Sequence, residues 1–402
     1  MYRREAEERI KNINDTFRVL VVTGPRQVGK STLLESLKPE NMQKITLDDM
    51  VLRDLAQNDP KQFIESFDKP LFIDEIQYAP ELFSYIKMEV DKDKERGQYW
   101  LSGSQAFELM KGVTESLAGR AGIVRMNSFT YNEIVKNENS ELFDLDNLKE
   151  KEYIDVNKVF ELIFNGGMPE LYDIQNMDRN DFYSSYVDTY IERDVRQIKD
   201  IGNVEAFKNF MRVLAVRTGT TLNYSSIANE VGVSDKTIKA WISVLGNTGL
   251  IYLLEPYSAS TIKRVTRMPK IIFMDMGLAC YLANWDSARA LQLSSEAGRY
   301  FESYVVSEII KNYDNKGIKL DITHFRCKED EEIDLIIRKN NTLYPIEIKK
   351  TASPKKEMIK NFKFLEKEGV KVGKGGIICN YDKLMKLDEN NYIIPISSVI
   401  NA

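Results

Sequence analysis

The apolar positions along this chain fall into three textures. Up to about residue 137, strand-length apolar runs alternate with amphipathic stretches at helical spacing, the strand–helix alternation of a parallel sheet. Val19-Leu20-Val21-Val22 and Leu71-Phe72-Ile73 read as buried strands, and Gln98 to Leu101 as a third. From about 153 to 285 the spacing is mostly helical, as in Val204 to Thr218. From about 294 a helix precedes two strands, Ile333 to Arg338 and Leu343 to Ile348, and then helix and strand recur. The acidic stretch Asn137 to Glu152 reads as a linker, and a second break falls near Asp286 to Ser295. The fold class expected is α/β in three parts: a parallel-sheet domain at 1–150, a helical region at 151–290 and a second α/β domain at 291–402.

Composition narrows the chemistry. With 402 residues, 43% hydrophobic and 29% charged, the chain suits a multidomain globular protein. No apolar run approaches the ~20 residues that span a bilayer, and the charged start has no signal-like apolar core. A cytoplasmic setting is expected. Three scattered cysteines and a single His324 leave no zinc pattern and no histidine base, so acid–base work falls to carboxylates and lysine. The net charge is −5, yet the tail is basic, with Lys349, Lys350, Lys355, Lys356, Lys360, Lys363, Lys367, Lys371 and Lys374. That run alone reads as a solvated helix face.

The first apolar strand leads straight into Gly24-Pro25-Arg26-Gln27-Val28-Gly29-Lys30-Ser31, and Thr32 opens a helix. Two glycines let the backbone turn its N–H groups toward phosphate oxygens, and the helix N-terminus adds its positive end. Lys30 is expected to reach the β- and γ-phosphates of ATP, and the Ser31 hydroxyl to ligate Mg²⁺. The strand at 71–73 ends in Asp74-Glu75. Asp74 can hold Mg²⁺ through water and Glu75 can polarise an attacking water, which favours hydrolysis over transfer to a small molecule. After the third strand, Ser104 is the candidate reader of the γ-phosphate, with a plain polar turn as the alternative.

These residues resemble a widespread prokaryotic group of AAA-type P-loop ATPases. The likeness continues through Leu71-Phe72-Ile73-Asp74-Glu75-Ile76-Gln77, Leu101-Ser102-Gly103-Ser104-Gln105, Ser116-Leu117-Ala118-Gly119-Arg120, Phe129-x-x-x-Glu133, Gly166-Gly167-Met168-Pro169-Glu170 and Arg193-Asp194. The resemblance implies a second half with a winged helix and a restriction-endonuclease-like fold. It also implies that the strand at 99–101 lies between those at 17–22 and 71–74. Arg120 looks like an arginine finger acting in trans in a homo-oligomer, with a surface arginine as the alternative.

Tyr224 to Glu230 reads as a short helix, Val231-Gly232-Val233 as a turn, and Ser234 as the cap of a helix from Asp235 to Leu245. A strand, Gly249 to Leu254, follows. This is winged-helix grammar. Lys236 and Lys239 would face a major groove, and Lys263, Arg264 and Arg267 would hold phosphates; a protein-contact role is the alternative. Pro269 to Leu278 also matches the family's second half, and Asp275 at its strand end reads as structural.

Near the end, Asp334 and Glu347-x-Lys349 fall on one hairpin, and residues 347 and 349 share a face because strand side chains alternate. Two carboxylates can bind Mg²⁺ while a lysine orients water for attack on a phosphodiester. Glu302, in Gly298 to Val305, sits on a helix facing the same region. The order resembles the PD-(D/E)xK nuclease pattern, with Glu302, Asp334 and Glu347 as metal residues and Glu347 and Lys349 as catalytic ones. Two readings stay open. One is an ATPase coupled to nucleic acid, DNA favoured, with metal-dependent cutting; the other is an ATP-switched regulatory or assembly protein whose end domain binds without cutting.

Overall fold

The structure is a computed structural model describing residues 2–103, 112–113, 115–190, 203–257, 268–326, 331–366 and 370–402. Two compact units emerge. One comprises residues 1–128, 247–249 and 314–317; the other comprises 129–246, 250–313 and 318–402. The helical stretch and the end stretch therefore share one unit.

In the first unit the three central strands are short and buried along their whole length, as continuous apolar runs dictate when both faces of a parallel sheet are covered, while the two edge strands are partly exposed. The strands are β1 (Val19–Thr23), β2 (Gln43–Thr46), β3 (Leu71–Asp74), β4 (Tyr99–Gly103) and β5 (Ala121–Arg125). They pair in parallel in the order β2-β3-β4-β1-β5, so β4 does lie between β3 and β1. Helices Leu82–Lys92 and Pro60–Glu65 cover the sheet with Phe63, Phe83, Ile86 and Val90. The carboxyl ends of β1 and β3 meet at one edge, where open parallel sheets place their ligands.

In the second unit, helix Val204–Val216 buries Phe207, Phe210, Met211 and Leu214, the stripe its spacing forecast. Helix Tyr224–Val231 ends at Gly232, whose left-handed φ of 78° makes the turn, and helix Asp235–Asn247 follows with Ser234 Oγ accepting from Thr237 N. β6 (Ile251–Leu254) then pairs antiparallel with β7 (Lys270–Phe273). The remaining strands are β8 (Ile322–Arg326), β9 (Glu332–Lys339), β10 (Thr342–Lys349), β11 (Lys371–Val372), β12 (Gly375–Cys379), β13 (Met385–Lys386) and β14 (Asn391–Pro395). They form a mixed sheet in the order β13-β14-β12-β10-β9-β8, with β11 beside β10. Asn340 and Asn341, with φ of 49° and 58°, make the two-residue turn joining β9 to β10; asparagine tolerates that conformation.

Two expectations change. The acidic stretch 137–152 is irregular but strapped down: Phe143 is buried, Tyr313 Oη donates to its carbonyl, and Lys339 pairs with Asp144 at 2.8 Å. The lysine-rich stretch after Lys349 is no single helix. It splits into a 3-10 turn, Lys356–Ile359, and a short helix, Lys363–Glu366. Between them Asn361 is turned inward to donate to Glu332 O. Among the described residues no helix is long and apolar enough to cross a membrane.

Candidate functional sites

The phosphate loop leaves β1 at Gly24, whose φ of 144° and closeness to Met126 exclude any side chain: a Cβ would lie 2.1 Å from the Met126 carbonyl oxygen. Gln27 and Gly29 are also left-handed, and Lys30 opens helix Lys30–Leu37. Lys30 Nζ donates to Gly24 O at 3.0 Å and Pro25 O at 2.6 Å, so the ammonium lies over the loop it is expected to complete. Arg26 and Val28 belong to the same loop, and Thr32 to the first turn of that helix. Arg4, which no local pattern singles out, is buried beneath it. Its guanidinium donates to Val28 O at 2.5 Å and Asn127 O at 2.8 Å.

Ser31 Oγ donates to Asp74 Oδ1 at 3.0 Å, joining loop and strand as a hydroxyl–carboxylate pair suited to a hard cation. The buried Ser102 of β4 donates to the same Asp74 oxygen. Ser104 lies outside the described residues. Glu75 sits in left-handed backbone, φ 57°, immediately after β3. Gln77 Nε2 donates to its carboxylate.

Arg120 lies elsewhere. Its carbonyl accepts from Val19 N, which places it at the amino end of β1 and β5, opposite the phosphate loop. There its guanidinium forks onto Asp91 at 2.6 and 2.8 Å, holding that carboxyl below its usual range. It cannot reach its own phosphate loop across the length of β1.

In the second unit, Glu302, Asp334, Glu347 and Lys349 do come together. Lys349 Nζ lies 2.7 Å from Asp334 Oδ2 and 2.8 Å from Glu347 Oε2, and Ile348 N donates to Asp334 Oδ2 at 2.8 Å. Two further residues join them. Lys270 of β7, 2% exposed, stands 2.7 Å from Glu302 Oε1 and 2.5 Å from Glu332 Oε1. Burial and the adjacent Asp334 charge push the Glu347 carboxyl up to about 9. Burial likewise raises Glu302, to about 7, against the pull of Lys270. Burial works on Asp334 too, but Lys349 and Lys270 hold it below the ordinary value. Glu347 Oε1 is buried with no hydrogen-bond partner. An orphaned oxygen beside a second buried carboxylate fits a divalent cation on the Asp334–Glu347 pair. Among the described residues no three Asp, Glu, His or Cys side chains converge to hold a metal.

Lys236 and Lys239 are exposed on helix Asp235–Asn247, with Lys239 Nζ 5.3 Å over the Tyr224 ring. Lys263, Arg264, Arg267, Arg193 and Asp194 lie outside the described residues. Asp275 is structural: it caps helix Met276–Leu282 and accepts from Tyr183 Oη and Gly167 N at 2.8 Å each. It thereby ties two of the sequence motifs into one knot.

Residues 16–135 match the family model of an AAA domain, and residues 156–289 and 297–399 match two domains of unknown function, DUF8612 and DUF4143. An uncharacterized protein of Mycobacterium tuberculosis is 25% identical over 354 residues, 88% of this chain and 75% of the relative. Another, of Methanocaldococcus jannaschii, is 25% identical over 298 residues, 65% and 61% of the two chains. Among solved structures, the Walker-type ATPase of Pyrococcus abyssi aligns at 15% identity over 69% of this chain and 94% of that one, with a TM-score of 0.43. The Holliday junction branch migration motor RuvB of Thermotoga maritima aligns at 18% over 62% and 88%, with a TM-score of 0.31. The stretch around the phosphate loop is an AAA-type P-loop ATPase domain.

Proposed function

We propose that this ATPase domain drives work on nucleic acid, DNA in the first place, and that the β9–β10 hairpin is a metal-dependent phosphodiester-cutting site. The hairpin carries the reading. An ATPase has no need of Asp334, Glu347 and Lys349 gathered within 2.8 Å in another unit. The elements preceding it, a helix-turn-helix followed by a two-stranded ribbon, have the order of a winged helix, and exposed Lys236 and Lys239 suit a phosphate backbone.

In the ATPase unit, Gly24 to Thr32 wrap the phosphates and Lys30 swings to the β- and γ-oxygens. Ser31 and Asp74 would hold Mg²⁺, with Ser102 fixing the Asp74 carboxylate. Glu75 orients the attacking water and Ser104 reads the γ-phosphate. In the second unit Asp334 and Glu347 would hold Mg²⁺ or Mn²⁺, and Lys349 positions water. When bound, such an ion neutralises charge on the phosphate being attacked. Arg120 acts on a neighbouring subunit's nucleotide.

A second reading draws on the same cluster. Lys349 is bonded to both carboxylates, and a binding module that never cuts would look alike. The test is a panel of single-stranded, duplex and branched DNA, plus RNA, with each metal, with and without ATP. We expect DNA-stimulated ATP turnover that Lys30→Ala abolishes and cutting that Asp334→Asn abolishes. Nucleotide-dependent self-association with no cutting and no DNA affinity would install the regulatory reading instead.

A further inference from the structure

The acid cluster holds a lysine that neither role requires. Lys270 reaches it from β7, far in sequence from the β9–β10 hairpin, and is almost wholly buried. Its ammonium lies between Glu302 of helix Ala297–Lys316 and Glu332 at the start of β9. A buried ammonium persists only when paired, and a buried carboxylate likewise. Each of these groups has found its partner, and none is spare.

We propose that Lys270 is the resident cation of this cluster, withholding Glu302 from metal and so limiting the site to one divalent ion, on Asp334 and Glu347. The inference rests on the metal-site reading above and deepens it. Three observations support it. Glu302 Oε1 accepts from Lys270 Nζ at 2.7 Å. Glu347 Oε1 is, among the described residues of the cluster, a buried oxygen left without a hydrogen-bond partner, and it belongs to the pair. Charge agrees once both raised carboxyls have released their protons: Glu302, Glu332, Asp334 and Glu347 set against Lys270 and Lys349 then leave two formal negative charges, matching one divalent ion rather than two. Glu302 thereby changes from expected ligand to the partner of a lysine.

The test is Mn²⁺ titration of the full nucleotide-free chain, read by the electron paramagnetic resonance of free Mn²⁺, with Asp334→Asn as the control for other sites. Wild type should bind one Mn²⁺ that Asp334→Asn removes, and Glu302→Gln should retain it. Lys270→Met should take up a second ion, which Lys270→Met/Glu302→Gln should not. Loss of the ion in Glu302→Gln would overturn the role of Lys270 while leaving the metal site standing. A folded Lys270→Met still binding only one ion would do the same. No Asp334-dependent ion in wild type would overturn the metal-site reading itself, and the inference with it. If Lys270→Met fails to fold, Glu302→Gln decides alone.

Discussion

Single residues set the limits of both sites. At Gly24 a methyl group would meet the Met126 carbonyl at 2.1 Å in backbone that side chains rarely adopt. Gly24→Ala should therefore abolish binding of a fluorescent ATP analogue and lower the melting temperature, whereas Gly232→Ala, in open space, should leave that binding unchanged. Lys270 argues similarly from charge. Lys270→Met leaves Glu302 buried and unpaired and should cost about 3–5 kcal/mol in urea unfolding, while Lys270→Met/Glu302→Gln should recover most of it. A double variant as unstable as the single one would mean that packing, not charge, holds the site.

At the scale of elements, the β9–β10 hairpin should make stability depend on pH. Glu347 and Glu302 are raised, to about 9 and about 7, from an ordinary 4.5. The folded state holds their protons more tightly than the unfolded chain, so their contribution is complete below about pH 4.5. It fades as pH rises, through 7 for Glu302 and through 9 for Glu347. Asp334, which is lowered, works the other way and loses its contribution as pH falls below the ordinary aspartate range. Chelator-treated protein should unfold more easily with each step from pH 5 to 9, by at most about 1.4 kcal/mol per unit per group. Glu347→Gln should flatten most of that slope, and an unchanged slope would place the titration elsewhere.

Elements also decide what the sequence made legible. The phosphate loop, Asp74-Glu75, the helix-turn-helix and the Glu-x-Lys strand are local patterns, with spacing that reports their geometry directly. Arg4, Ser102, Glu332 and Lys270 escaped because their partners lie far along the chain. Arg4 meets Asn127, and Lys270 meets Glu302 and Glu332. Lys270 even sat inside a motif noted for its strand. Period and propensity describe a residue's own element, and nothing in them says which distant carboxylates will close around an ammonium. The lysine run misled for the converse reason: its helical spacing was local, and Asn361 turns inward to Glu332 O instead.

The whole molecule separates its chemistries. Arg120 sits at the amino end of the sheet, so any service to a phosphate loop must be to another chain's. Arg120→Ala should keep ATP affinity and lose turnover, and mixing it with Lys30→Ala should restore a measurable part of the rate. Absence of rescue in mixed oligomers would reduce Arg120 to the clamp on Asp91. The strand order has a further consequence, for synthesis. β1 is flanked on both sides by strands that arrive late, β4 and β5, the latter ending at Arg125. A ribosome adding roughly 5–20 residues per second needs roughly 5–20 seconds to make the intervening hundred or so. Until β4 is made Val19-Leu20-Val21-Val22 is a nascent strand with two open edges, and until β5 is made it still has one. The phosphate loop is thus written first and completed late, and the emerging chain depends on shielding of that segment until β5 has cleared the exit tunnel.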